Sequence, residues 1–246
     1  MSIETKGMPK AATLANVTAL LAVAEELQNR AEHLPGLGVM YGPSGYGKSI
    51  AATVVAVSHH AAYVEVKDFM TRKSFLEAVA VELGLRPGRT LAEAAALVGE
   101  ELARTQRLLI VDEADILADR NALEIVRSLH MSSGSPILLI GEEALPGKIR
   151  RFERIHNRVL TWAPAQPASL ADARQLATIY CGRVAFDDDL LDHIVRKSQG
   201  RVRRIVVNLD RVEKDAVRAR VDRADRAWWG DRDLYTGDAP ARKVPQ

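Results

Sequence analysis

The chain is poor in cysteine and in long apolar runs, and each shortage removes a class of protein. Cys181 is the single cysteine, so no disulfide closes within the chain and no cysteine-built zinc site exists. It sits in a helix-prone stretch and reads as packing. The six histidines are scattered, and even His59-His60 lacks partners at metal-ligand spacing. No apolar run approaches membrane-spanning length, and residues 1–10 are polar rather than signal-like. The expectation is therefore a cytoplasmic protein with no membrane partner. A net charge of +2 is too small to imply a nucleic-acid partner, so such a partner has to be argued from where the charges cluster. No internal repeat is visible. What is present, 47% hydrophobic and 27% charged over 246 residues, suits an ordinary globular chain with one main domain and a small second one.

The most informative stretch is Gly42-Pro43-Ser44-Gly45-Tyr46-Gly47-Lys48-Ser49, which fits the phosphate-cradling pattern GxxxxGK[ST] at every fixed position. An apolar run, residues 37–41, precedes it, and the helix-prone Ser49-Ile50-Ala51-Ala52 follows. That strand–loop–helix setting is what the motif needs. Its glycines let successive N–H groups turn inward, and the next helix brings its positive end to the same place. Residues 42–50 are therefore the expected nucleotide cradle. Lys48 would reach the β- and γ-phosphates, and the Ser49 hydroxyl would hold Mg²⁺.

A second signal lies at Leu108-Leu109-Ile110-Val111-Asp112-Glu113, an unbroken apolar run ending in two acids. Such a run marks a strand buried on both faces, and ligands gather at the carboxyl ends of parallel strands. Asp112 there can hold the metal, and Glu113 can act as general base toward water. A lone acid pair would read as a helix cap; its pairing with the phosphate loop favours catalysis. Asp115 reads as a cap or as support for the pair.

Along the chain, residues 11–30 form a helical stripe after the cap-like Thr13. Strands are expected at 37–41, 62–66, 107–112, 136–140 and 158–162, with helices between them. This alternation predicts an α/β fold, a five-stranded parallel sheet with helices on both faces. After Pro164-Ala165-Gln166-Pro167 everything reads as helix: 169–181, 187–198 and 201–225. The expected organisation is an N-terminal arm over 1–12, a nucleotide-binding domain over 13–164, an all-helical lid over 165–229 and a flexible tail over 230–246.

These features together resemble an AAA+ ATPase, and within that superfamily the transposition-helper group of the Mu B, TniB- and TnsC-type proteins. The resemblance runs from about residue 14 to about 215 and includes the layout: a helix ahead of the loop, Ile140-Gly141-Glu142-Glu143 after the fourth strand, and a basic helix running into the fifth. It implies an ATP- and Mg²⁺-dependent ATPase, slow and DNA-stimulated, that self-associates through ATP-bridged interfaces on double-stranded DNA and activates a transposase. Where the family places a polar residue to position the lytic water, this chain has Glu142, a departure that adds repulsion near the γ-phosphate unless the carboxylate is paired or turned away. Arg158, immediately before the fifth strand, matches the arginine finger best and Arg154 second; a solvated basic helix face is the alternative for either. Gly200-Arg201-Val202-Arg203-Arg204 resembles the lid motif GDxRR and assigns Arg203 to the γ-phosphate, although Arg201 stands where a small or acidic residue is usual.

The same resemblance points the segment after the second strand toward DNA. Lys67, Thr71, Arg72 and Lys73 suit sequence-independent phosphate contacts, and Arg120 is a weaker addition. A helix start with solvated basic ends remains the other reading. The short stretch before the first helix leaves no room for a separate DNA-binding domain, so the ATPase module itself is expected to make any DNA contact. The last helix alternates acids and bases as a salt-bridged face would. Trp228-Trp229 either docks a partner or closes the end of the lid. Two further functions stay open: an AAA+ ATPase working on protein assemblies, and a replication initiator or loader.

Overall fold

Parallel pairing of five short aliphatic runs sets the architecture. The computed structural model describes residues 14–239, so Thr13, the arm over 1–12 and the end of the tail lie outside the described residues. In chain order the elements are α1 (Ala15–Gln28), β1 (Leu37–Tyr41), α2 (Lys48–Ser58), β2 (Ala62–Glu65), α3 (Arg72–Glu82), α4 (Leu91–Thr105), β3 (Leu109–Asp112), α5 (Ala114–Asp119), α6 (Glu124–Ser133), β4 (Ile137–Gly141), α7 (Leu145–Arg150), α8 (Glu153–His156) and β5 (Val159–Pro164). The sheet order is β2-β3-β4-β1-β5, every pair parallel. Register pairs Leu37 with Ile137, Leu109 with Ile137 and Glu65 with Asp112.

The central strands β1, β3 and β4 are buried on both faces, which is why they read as continuous apolar runs rather than alternating ones. Leu37, Val39, Val64, Leu109, Val111 and Leu139 share one core with Phe75, Leu76, Val98, Leu102 and Leu129 of α3, α4 and α6. Each such side chain contributes about 1.5–3 kcal/mol of transfer free energy. On the opposite face α1 lies close to β1. A Cβ at Gly38 would stand 2.8 Å from Leu27 Cδ1 and 3.1 Å from Val23 Cγ1, so a side chain there would force α1 outward. The helical segment after the acidic strand is broken into α5 and α6, because Asn121 takes a left-handed conformation between them.

Contacts divide the chain into two units. The first holds Asn16–Ser44 and Lys48–Gln166; the second holds the loop tip Gly45–Gly47 and the residues from Pro167 onward. The second unit contains α9 (Leu170–Tyr180), β6 (Ala185–Phe186), α10 (Asp188–Lys197), α11 (Val202–Ala219), β7 (Arg223–Ala224) and α12 (Arg226–Trp229). It is not wholly helical, as expected from sequence, since β6 and β7 pair in parallel. Two-residue strands carry too little periodicity to be seen in a sequence. α11 buries Val202, Ile205, Leu209, Val212 and Ala216 along one stripe. On its outer face Lys214 pairs with Asp210 at 2.7 Å, as the alternating charges predict, whereas Glu213 turns inward and accepts the Arg183 N–H at 2.9 Å. Burial, with the Glu213 charge adding to it, pushes the Cys181 thiol up to about 12.

Residues 231–239, expected as flexible tail, return along α11. Asn208 is fully buried, donates to the Tyr235 carbonyl at 3.0 Å and accepts the Tyr235 N–H at 2.6 Å, while Arg211 lies 5.1 Å from the Tyr235 ring centroid. Trp229 is buried and donates its indole N–H to the Arg232 carbonyl at 3.0 Å, and the Arg232 guanidinium covers both Trp228 and Trp229. Trp229 thus closes the end of this unit. Among the described residues no helix is long and apolar enough to cross a membrane.

Candidate nucleotide site

The site forms where the carboxyl ends of β1, β3 and β4 meet the start of α2. Gly42, Gly45 and Gly47 have φ of +156°, +87° and +86°, and the last two lie where side chains are rarely tolerated. Ala165 fits against Gly42 so closely that a Cβ there would stand 2.9 Å from the Ala165 Cβ. Pro43, Ser44 and Tyr46 complete the bend, and Ser49 and Ile50 fall in the first turn of α2, with Ser49 exposed. Within the second unit the Val202 N–H donates to the Gly45 carbonyl at 2.8 Å, so the tip of the loop is fastened to the first turn of α11. Arg203 is exposed on that same turn.

Lys48 bends back over its own loop, donating to the carbonyls of Gly42 at 2.7 Å and Pro43 at 3.0 Å. Burial lowers its pKa, and Glu113, Asp112, Glu142 and Asp115 oppose that shift. One lysine therefore sits in the field of four carboxylates drawn from β3, α5 and the end of β4. Asp112 is buried, at 2% exposure. Its Oδ1 accepts the Glu113 N–H at 2.9 Å and its Oδ2 accepts the Tyr63 hydroxyl at 3.0 Å. Burial, then the Asp112 charge, pushes the Tyr63 phenol well above its ordinary range. Glu113 caps α5 in a left-handed conformation, φ +55°. Burial raises its pKa, with Asp112 adding to the shift and Lys48 reducing it. A carboxylate that holds its proton more tightly is a stronger base once it is free.

Glu142 is exposed, and its carboxylate is felt by both Lys48 and Glu113. Its backbone N–H donates to Asp115 Oδ2 at 2.6 Å. Lys148 of α7 stands 3.2 Å from Asp115 Oδ1 and 2.6 Å from Asp119. Asp115 is thus not a cap but a buried post that ties the end of β4 to α5 and α7.

The remaining sequence candidates lie elsewhere on the first unit. Arg154 is exposed on α8, and Arg158 donates to the Arg154 carbonyl at 2.9 Å and to Met131 Sδ at 3.1 Å. In the segment after β2, Lys67 pairs with Glu65 at 2.6 Å and Lys73 with Glu77 at 2.7 Å. The Thr71 hydroxyl caps α3 by accepting the Ser74 N–H at 3.1 Å. Arg72 donates to the Asn121 carbonyl at 2.7 Å and Arg120 to the Met70 carbonyl at 3.1 Å, a reciprocal brace between two loops. The lysine pairs are half-exposed, so each is worth about 0–1 kcal/mol and exchanges readily. Sequence reasoning missed Tyr63 and Lys148. Tyr63 shares the sheet face of Ile110 and Asp112, but nothing in the sequence says how the strands are registered.

A family model described as an AAA domain matches residues 31–149. The sheet order and the phosphate loop agree with it. The fold is that of a P-loop AAA domain. Solved structures similar to this chain include ORC1 of Aeropyrum pernix in complex with DNA, 19% identical, TM-score 0.62, covering 87% of this chain and 62% of that one. Cdc6p of Pyrobaculum aerophilum is 18% identical, TM-score 0.59, covering 89% and 65%. RuvB of Thermotoga maritima, a Holliday junction branch migration motor, is 17% identical, TM-score 0.56, covering 85% and 64%. At these identities the likeness is one of fold, and this chain spans less than two thirds of each of the three. No curated protein matches it.

Proposed function

We propose that this chain is an AAA+ ATPase that binds ATP with Mg²⁺, hydrolyses it, and works on duplex DNA as an oligomer. The observation that carries the reading is the convergence of Lys48, Asp112 and Glu113 beside the start of α2. The residues present fit the nucleotide. Left-handed glycines give a loop of inward-turned N–H groups, and an 11-residue helix aims its positive end at them. Lys48 exchanges the Gly42 and Pro43 carbonyls for phosphate oxygens. Ser49 and Asp112 would hold Mg²⁺, which neutralises charge on the phosphates when bound. Glu113 takes the proton of the attacking water, and its raised proton affinity suits that role. Glu142, whose N–H is anchored by Asp115, would orient that water. Arg203, exposed on the first turn of α11, is assigned to the γ-phosphate by its place in the motif that starts at Gly200. Arg158, or Arg154 beside it, completes the site of a neighbouring copy, leaving its present acceptors to do so.

DNA is the client best supported. The likeness to ORC1 solved with DNA and to RuvB, together with Lys67, Arg72 and Lys73 in the segment after β2 and Arg120 bonded to that same segment, supports sequence-independent phosphate contacts, with Thr71 at the same helix start. As to the task performed, the likeness to ORC1 and Cdc6p favours the replication initiator or loader reading over the transposition-helper reading, which rests on the layout of the sequence motifs.

The test is binding to random duplex DNA with ATP, ADP or no nucleotide across a salt series, with Lys48→Ala as control. ATP-dependent, salt-steep binding that Lys48→Ala removes is the expected result. Nucleotide binding without DNA binding in any state would leave an ATPase whose client is a protein. Stimulation of a transposase, as against loading of a replicative helicase, separates the two DNA readings.

A further inference from the structure

Asp112 reaches its metal-holding position with an escort that the phosphate-loop chemistry does not require. Two backbone features set the side chain: the Asp112 carbonyl accepts the Val66 N–H at 2.9 Å, and the Glu113 N–H holds Oδ1 at 2.9 Å. A carboxylate fixed at one oxygen still swings about its Cβ–Cγ bond. Its second oxygen is held by the hydroxyl of Tyr63, which reaches diagonally across from the edge strand β2 at 3.0 Å. A carboxylate pair offers about four lone-pair sites, so these two bonds leave acceptor capacity on each oxygen for a cation. The donor type matters. An arginine or lysine in place of Tyr63 would neutralise Asp112 and compete with a divalent ion, whereas a phenol orients the carboxylate and leaves its charge whole.

We propose that Tyr63 is a positioning residue for the metal, its hydroxyl locking the Asp112 carboxylate in the orientation that binds Mg²⁺ in the nucleotide complex. The inference rests on the reading of Asp112 as metal-holding. It extends the site to an edge strand that carries no part of the phosphate loop or the acidic strand.

The experiment uses Tyr63→Phe, which keeps the ring and its packing, and a fluorescent ATP analogue titrated with Mg²⁺ at fixed protein. Outer-shell partners of a metal are typically worth about 10–100-fold in affinity, so the Mg²⁺ midpoint should rise by roughly ten-fold in Tyr63→Phe. Binding of the analogue in EDTA should not change, which a general loss of packing would not spare. In an Asp112→Asn background the same substitution should leave the Mg²⁺ midpoint where Asp112→Asn alone puts it, because Tyr63 acts through that carboxylate. An unaltered midpoint in folded Tyr63→Phe, or a full additional shift in the Asp112→Asn background, would overturn the proposal while leaving the ATPase reading intact. Wild-type protein that binds the analogue without any response to Mg²⁺ would overturn both together.

Discussion

Adding one methyl group at Gly141 tests how the end of β4 is held. A Cβ there would collide with Asp115 Oδ2 and stand 2.8 Å from Leu145 Cδ2. That carboxylate oxygen is the acceptor for the Glu142 N–H at 2.6 Å, and the residue is 5% exposed, with Lys148 3.2 Å from its other oxygen. It has little room to retreat without giving up a bond. Gly141→Ala should therefore lose a charge-assisted hydrogen bond, about 1.5–3 kcal/mol, and add an overpacking cost of about 1 kcal/mol against Leu145. At roughly 2–4 °C per kcal/mol for a chain of this size, the melting temperature should fall by about 10 °C. Urea unfolding followed by circular dichroism gives the free energy directly. The diagnostic comparison is the same substitution in an Asp115→Ala background, where the obstructing carboxylate is gone and only the Leu145 contact remains. There the added methyl should cost about 1 kcal/mol, leaving a coupling of about 2 kcal/mol between the two sites. Costs that add within about 0.5 kcal/mol would refute the claim that Gly141 is small in order to let Asp115 reach Glu142.

Four further outcomes are expected. Glu113→Gln should slow hydrolysis by roughly 10²–10⁴-fold while nucleotide binding survives, read by single-turnover assay and by titration of a fluorescent nucleotide. Because burial raises the Glu113 pKa, the acid limb of wild-type hydrolysis should lie above the ordinary carboxylate range. The same shift predicts stability. The folded state holds this proton more tightly than the unfolded chain, so its contribution is fully present below the unfolded pKa and is lost as pH rises through the folded one. Glu113→Gln should accordingly gain on wild type above that window and draw level below it, as measured by melting temperature against pH. Asn208→Ala should strip the Tyr235 backbone of both its partners, cost about 2 kcal/mol, and open residues 231–239 to limited proteolysis; unchanged cleavage there would show that Asn208 does not hold the strap.

What the sequence could announce followed from how its signals are made. The five strands and the phosphate loop were legible because central parallel strands must be apolar throughout, and because the loop places glycine, lysine and serine at fixed spacing. The break between α5 and α6 was not, since it depends on Asn121 adopting a left-handed turn that asparagine only sometimes takes. The strands β6 and β7 are two residues each, shorter than any period can register. The strap over 231–239 was misread from composition: Pro, Gly and charge suggest a free tail, yet one buried asparagine in α11 is enough to fasten it. Within the site, Lys48, Asp112 and Glu113 could be named because the motif names them. Tyr63 and Lys148 could not, because each acts across elements whose register and packing are properties of the folded chain.

Glu113 sits at φ +55°, a region that costs a residue with a Cβ roughly 1 kcal/mol or more and costs glycine almost nothing. A library of this chain selected for heat resistance alone should therefore drift toward glycine or asparagine at position 113, and its winners should be sturdier proteins that hold nucleotide and no longer turn it over. The strain at this one backbone position makes durability and turnover competing selections, so a stability screen run without an activity counterscreen would remove the proposed general base.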